Sequence, residues 1–145
     1  MDNYLNKSIC TYLIKAQLCS DAGKNIYPSS TKAGKVAREY GYDHKDYFIQ
    51  KAMDKINSTP MSGFSYYVEP GFGIGADTII YFNFKFNGER HQISFHSYSS
   101  FKSYQSNSHK TRWDKKISGS RRSCDLLWDY LNHEVEGKAN WKSLY

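Results

Sequence analysis

No run of apolar residues in this chain is long enough to cross a bilayer, so no transmembrane helix is expected. The opening Met1-Asp2-Asn3-Tyr4 lacks the basic residues and apolar core of a secretory signal, so none is expected there. Cysteine is scarce. Cys10, Cys19 and Cys124 form an odd set with no CxxC pair. That pattern argues against a disulfide framework and for the reduced thiols of a cytoplasmic protein. Acidic residues are scattered, and no pair of them suggests a metal-dependent nuclease. No serine sits in a nucleophile-elbow pattern, and there is no internal repeat or heptad array.

What the chain has in surplus is positive charge, and the surplus is local. Lys+Arg number 20 against Asp+Glu 14, a formal net of +6 over 145 residues. Residues 97–122 hold Lys102, Lys110, Arg112, Lys115, Lys116, Arg121 and Arg122 against Asp114 alone. This one stretch therefore carries the whole excess, and the remaining residues balance. It also carries Tyr98, Phe101, Tyr104 and Trp113. A local positive field with interleaved aromatics suits a polyanion or an acidic protein face. The length fits one domain over residues 1–145, large enough to bury a core without staples.

Residues 8–21 read as a helix that Ser8 can cap and Gly23 can end, with Ile9, Leu13 and Ala16 on one face. Residues 31–40 read as a short helix closed by Gly41. Asp43 or Asp46 opens a third, where Ile49, Ala52, Met53 and Ile56 recur at helical spacing before Pro60. The period then changes to two. Residues 64–68 read as a short strand, and Gly71, Gly73 and Gly75 as a flexible linker. Residues 77–86 and 89–98 flank Asn87-Gly88, the signature of a two-residue type I′ hairpin. That turn sets Phe86 opposite Glu89, Phe84 opposite His91, Phe82 opposite Ile93 and Ile80 opposite Phe95, one mostly apolar face. Ile79, Tyr81, Asn83, Lys85, Arg90, Gln92, Ser94 and His96 form the other, which is expected to be largely wet. Residues 97–118 are polar, serine-rich and without period, so they read as a long loop. Residues 120–134 read as a helix with Cys124, Leu127, Trp128, Leu131 and Val135 on one stripe. The expected fold is α+β: an antiparallel sheet of three to four strands centred on the long hairpin, packed against N-terminal and C-terminal helices. The last helix is expected on the face made by Phe82, Phe84 and Phe95.

Four constellations bear on function. Arg121 and Arg122 fall in the first turn of the last helix, where the macrodipole disfavours cations and favours anions. Free N–H groups there, with Ser118, Ser120 and Ser123, suit a phosphate, and arginine suits bidentate phosphate contact. A solvated basic face, partly offset by Asp125 and Asp129, is the plainer reading. Tyr98, Phe101, Tyr104 and Trp113 can stack on unpaired bases or anchor their segment to the core, and Tyr104 is the one expected to be exposed. The wet hairpin face, with Tyr81, Lys85 and Arg90, can meet a single strand, meet a protein partner, or simply be solvated. Lastly, residues 36–41 with the helix that follows echo a helix-turn-helix, the hairpin then serving as a wing.

Catalytic constellations are lacking. His91 and His96 are five apart on one strand, so they face opposite ways and cannot jointly hold a metal. His109-Lys110-Thr111 has a His-x-Thr form with no second copy. Gly71-Phe72-Gly73-Ile74-Gly75 leads into a strand rather than a helix, which removes the mechanism of a dinucleotide fingerprint. The expectation is a small non-enzymatic protein with no cofactor and no metal, acting on nucleic acid or on a nucleic-acid-processing complex. The expected contacts are Lys102, Tyr104, Lys110, Arg112, Lys115, Lys116, Arg121, Arg122, Lys85 and Arg90. A phage or mobile-element inhibitor of a host nuclease, of the anti-CRISPR kind, fits this character. Being basic, such a protein cannot mimic DNA and would clamp strands or cover an acidic catalytic face. The alternatives are a winged-helix regulator, reading DNA with Lys45, Gln50, Lys51 and Lys55, and a phosphodiester-cleaving enzyme using His96 or His109.

Overall fold

In the computed structural model the described residues are 4–23, 32–69, 78–97 and 119–132, with the side chains of residues 22–23 and 32–43 left aside. They form α1 (Lys7–Gly23), α2 (Lys32–Ser58), β1 (Phe64–Glu69), β2 (Thr78–Phe86), β3 (Glu89–Ser97) and α3 (Ser120–Asn132). The arrangement is α+β, with helices flanking a three-stranded antiparallel sheet of order β1-β2-β3.

The hairpin follows its turn chemistry. Asn87 and Gly88 have φ of 53° and 78°, and positive φ at both central residues is what a type I′ turn demands. The register places Phe86 opposite Glu89, Phe84 opposite His91, Phe82 opposite Ile93 and Ile80 opposite Phe95. β1 adds Phe64 opposite Phe84, Tyr66 opposite Phe82 and Val68 opposite Ile80. The inner face is thus a continuous apolar floor, and all of these β1, β2 and β3 residues except Phe86 and Glu89 are buried.

The helices cover that floor. α1 begins two residues earlier than a Ser8 cap would place it. The Ile9 N–H donates to Asn6 Oδ1 at 3.2 Å and the Cys10 N–H to the Asn6 carbonyl at 3.1 Å, so Asn6 is the cap. From Ile9 to Asp21 most of α1 is buried, because α2, α3 and β3 all contact it. Ile49, Ala52, Met53 and Ile56 are the buried stripe of α2. Tyr66 reaches from β1 to donate to Asn57 Oδ1 on α2 at 3.0 Å. On α3, Cys124 and Leu127 enter the core, and Tyr130 meets Phe86 edge-on at 5.7 Å. The Tyr130 hydroxyl accepts from the Leu5 N–H at 3.0 Å, which joins the two described ends of the chain. Each fully buried Leu, Ile or Phe contributes about 1.5–3 kcal/mol, so this three-sided burial is the main source of stability.

Two expectations are corrected. α2 is one helix of 27 residues that runs through Gly41. A helix-turn-helix needs a turn there, so the geometric basis of the winged-helix reading is gone. A glycine inside a helix costs only about 1 kcal/mol, less than the burial that the rest of the helix gains. The outer face of the hairpin is also drier than expected. Asn83 is fully buried there, its Oδ1 accepting from Gln92 Nε2 at 2.8 Å, and Tyr81 donates to Glu69 Oε2 at 3.0 Å.

All three cysteines are buried and none forms a disulfide. Burial pushes the Cys10 thiol up to about 12 and the Cys19 thiol up to about 11, and raises Cys124 as well. The thiols therefore stay protonated and unreactive at neutral pH.

His91 is the polar exception on the inner face. It is 1% exposed, stacks on Phe84 at 5.0 Å, and neither ring nitrogen has a hydrogen-bond partner. Burial lowers its pKa below the ordinary 6.5, only partly opposed by Glu89, while Arg122 lowers it further. The unfolded chain binds a proton at this histidine as pH falls below about 6.5, and the folded chain does so later. Stability from this group is therefore whole above that pH and lost as pH falls through the lowered folded value. Thermal melts should show the midpoint dropping as pH falls below about 6.5. His91→Leu should flatten that drop; parallel pH profiles for the two proteins would contradict the assignment.

Candidate nucleic-acid interface

The outward-facing chemistry of the sheet follows from its register. Phe86 and Glu89 flank a two-residue turn, so they share a hydrogen-bonded pair, and the odd residues of β3 bond to β2. The even residues, Arg90, Gln92, Ser94 and His96, present their N–H and C=O groups along the other edge. Open edges recruit stray strands unless they are covered. Here the chain covers its own. The Ser94 N–H donates to Ser120 Oγ at 3.1 Å, and the ammonium of buried Lys45 donates to the His96 carbonyl. Beside it, Ser97 Oγ donates to Asp46 Oδ1 at 2.7 Å.

These contacts fix where the cationic stretch leaves and returns. The chain departs after Ser97, held by α2, and comes back at Gly119 and Ser120, held by Ser94. Ser94 and Ser97 lie ~10 Å apart along the strand. Both ends of the stretch are therefore anchored to one short length of β3. Lys102, Tyr104, Lys110, Arg112, Lys115 and Lys116 lie outside the described residues, as do Tyr98, Phe101, Trp113 and His109.

Arg121 and Arg122, adjacent in sequence, have different jobs. Arg121 donates to Asp21 Oδ1 of α1 at 2.8 Å. The Asp21 side chain is 2% exposed and the same oxygen accepts from Gln17 Nε2 at 3.0 Å. The expectation that Arg121 waits for an outside anion is corrected to this extent: a carboxylate a hundred residues earlier already answers its charge. Arg122 is exposed, and no carboxylate pairs with it among the described residues.

Lys85 and Arg90 stand directly opposite one another on the outer face near the hairpin tip, and both are exposed. They occupy a non-hydrogen-bonded pair, where side chains approach most closely, and like charges so placed are destabilising. Arg90 is ~13 Å along β3 from Ser94. The start of α3, with Arg122, and this pair thus fall along the β3 side of the protein.

The histidines do not assemble a reactive centre. His91 is buried on the inner face and His96 is exposed on the outer one. Among the described residues no three His, Cys, Asp or Glu side chains gather as a metal would require, and no helix is long and apolar enough to cross a membrane. Sequence reasoning missed Lys45 as a structural residue. Nothing in its neighbourhood, Tyr42 to Asp46, marks it for burial, since its partner is a backbone carbonyl fifty-one positions away.

Comparison of the chain with protein-family models, curated proteins and solved structures finds no match. Its function has to be read from its own geometry.

The unequal roles of the two arginines are directly measurable. Arg121→Ala strips a charge-assisted hydrogen bond from buried Asp21 and should cost about 2 kcal/mol in denaturant unfolding. Arg122→Ala should change stability by no more than about 0.5 kcal/mol. Equal losses would show that the Asp21 contact does not hold α3 on α1.

Proposed function

We propose that this protein is a non-enzymatic binder that grips nucleic acid by its phosphate backbone. The grip is the cationic stretch of residues 97–122, extended by the Lys85 and Arg90 pair. The observation that carries this reading is the double anchoring of the stretch to β3. A charged segment pinned at both ends loses less conformational freedom on binding than one hanging from a single point. The return point at Gly119 and Ser120 lies next to Arg122, whose exposed charge extends the grip. The Lys85 and Arg90 pair, like charges set directly opposite one another, supports the reading too, since opposed cations gain when a polyanion comes between them.

Affinity of this kind arises from counterion release and carries little base preference. Tyr104 and the other aromatics of the stretch supply stacking when the strand is single. The finer proposal is a phage or mobile-element protein that blocks a host nuclease by clamping its guide or target strand. An acidic face of the nuclease itself is the partner to seek if bare nucleic acid is not bound.

Titration of fluorescent DNA and RNA oligonucleotides across a salt series tests the reading. The logarithm of the binding constant should fall linearly with the logarithm of salt concentration. Changing Lys115, Lys116 and Arg122 to Glu should weaken binding and flatten that slope by about one for each phosphate no longer neutralised. Changing Lys51 and Lys55 on α2 should leave it unaltered. Absence of binding to any oligonucleotide, or binding indifferent to salt, overturns the reading.

A further inference from the structure

We propose that α3 is a proton-operated latch: when the buried imidazole of His91 takes up a proton, α3 leaves the sheet and the hold of Ser120 on Ser94 is lost. This goes beyond the nucleic-acid reading and stands without it; where that reading holds, acid frees the return end of the cationic stretch.

α3 lies along β3. Its first residue, Ser120, accepts from the Ser94 N–H at 3.1 Å, and Tyr130 meets Phe86, the register partner of Glu89. The stretch from Ser120 to Tyr130 spans ~15 Å of helix, and that from Glu89 to Ser94 spans ~17 Å of strand. The two elements therefore run side by side in opposite directions. His91 is on the inner face between these two points and is 1% exposed.

This seam is the least satisfied part of the fold. Among the described residues, the buried side-chain polar atoms without a hydrogen-bond partner are Asp21 Oδ2, both His91 ring nitrogens, Ser123 Oγ and Asp129 Oδ1. Ser123 and Asp129 belong to α3, Asp21 is the carboxylate that Arg121 reaches from it, and His91 lies against it. Each of these atoms is costly to leave unpaired. α3 has 13 residues, near the limit below which a helix does not persist alone, and only Ser123, Cys124 and Leu127 of it are buried. It is the element released at least cost.

His91 is the group in the seam whose side chain changes charge near neutral pH. As a neutral ring it stacks on Phe84 at 5.0 Å. As an imidazolium it needs partners that the seam does not offer. Among the described residues, the charges that act on it are Glu89 of its own strand and Arg122 of α3. β2 presents Phe82, Phe84 and Phe86 on this face, and no charged group of α1 or α2 acts on the ring, nor do Asp125 and Asp129 of α3. Glu89 Oε2 is 3.9 Å from Nε2, beyond hydrogen-bond reach, on a side chain 67% exposed and screened by water. Burial, above all, keeps the pKa of the ring below 6.5, with Glu89 opposing and Arg122 assisting. In the released state the ring meets water and recovers its ordinary value. The held state is therefore whole above about pH 6.5 and loses ground as pH falls through the lowered value.

The test is amide hydrogen exchange of the full chain labelled with nitrogen-15, from about pH 7.5 to about pH 5, read as protection factors. Leu127 on α3 should be less protected than Met53 on α2, the mark of an opening that leaves α2 in place. Below about pH 6.5 its protection should fall by up to about tenfold per pH unit, and that of Ser94 with it. His91→Phe keeps a ring on Phe84 and should abolish the fall. Arg122→Gln and Glu89→Gln alter exposed side chains and leave the core intact. The first removes the opposing cation and should shrink the fall; the second removes the favouring carboxylate and should enlarge it. Equal protection of Leu127 and Met53 at every pH would mean that α3 leaves only with the whole fold, and overturns the latch. So does a fall that survives in His91→Phe, which then belongs to another group such as Asp21 beside Arg121, or a fall that the two exposed variants leave unchanged. None of these readouts involves an oligonucleotide, so the latch and the nucleic-acid reading fail separately.

Discussion

The outer edge of β3 is held by hydrogen bonds that arrive from two helices. Lys45 and Asp46 of α2 fasten the His96 carbonyl and the Ser97 hydroxyl, and Ser120 of α3 fastens the Ser94 N–H. This edge does two things at once. It closes the sheet against unwanted strand addition. It also fixes both ends of the cationic stretch. Without those contacts, neither the departure point at Ser97 nor the return point at Ser120 would be fixed on the fold.

The fold around that edge is a chain of dependences. β3 lies where it does because Asn87 and Gly88 turn the chain with positive φ and so fix the register against β2. The register sends Ile93 and Phe95 into the core and Ser94 and His96 backbone groups outward. The core holds α1 between α2, α3 and the sheet, and buried Asp21 on α1 then takes Arg121 and sets the first turn of α3. Arg121 is thus a positioning residue. It spends its charge inside the protein, while exposed Arg122 pairs with no carboxylate among the described residues.

The parts of this that could be read from the sequence are those fixed by local chemistry. Asn87-Gly88 between alternating runs specified the hairpin and its register, and the apolar floor of Phe82, Phe84 and Phe95 followed from a period of two. The stripe Ile49, Ala52, Met53 and Ile56 marked the buried side of α2. The failures were long-range. Gly41 suggested a helix end, but a single glycine is weak against the cooperativity of a long helix. Lys45 and Arg121 read as surface cations because their partners, the His96 carbonyl and Asp21, are far away in sequence. Asn83 was already set opposite Gln92 by the hairpin register, but nothing in the local pattern marked it for full burial.

Site-resolved hydrogen exchange tests the central claim most directly. The Ser94 amide faces away from β2, so on strand pairing alone it would exchange as fast as any exposed edge group. The account predicts that it is instead protected nearly as well as Ile93 and Phe95, and that Ser120→Ala releases Ser94 while those two stay protected. Rapid exchange of Ser94 in the unaltered protein would show that α3 does not hold this edge, and that the cationic stretch is not anchored at its return.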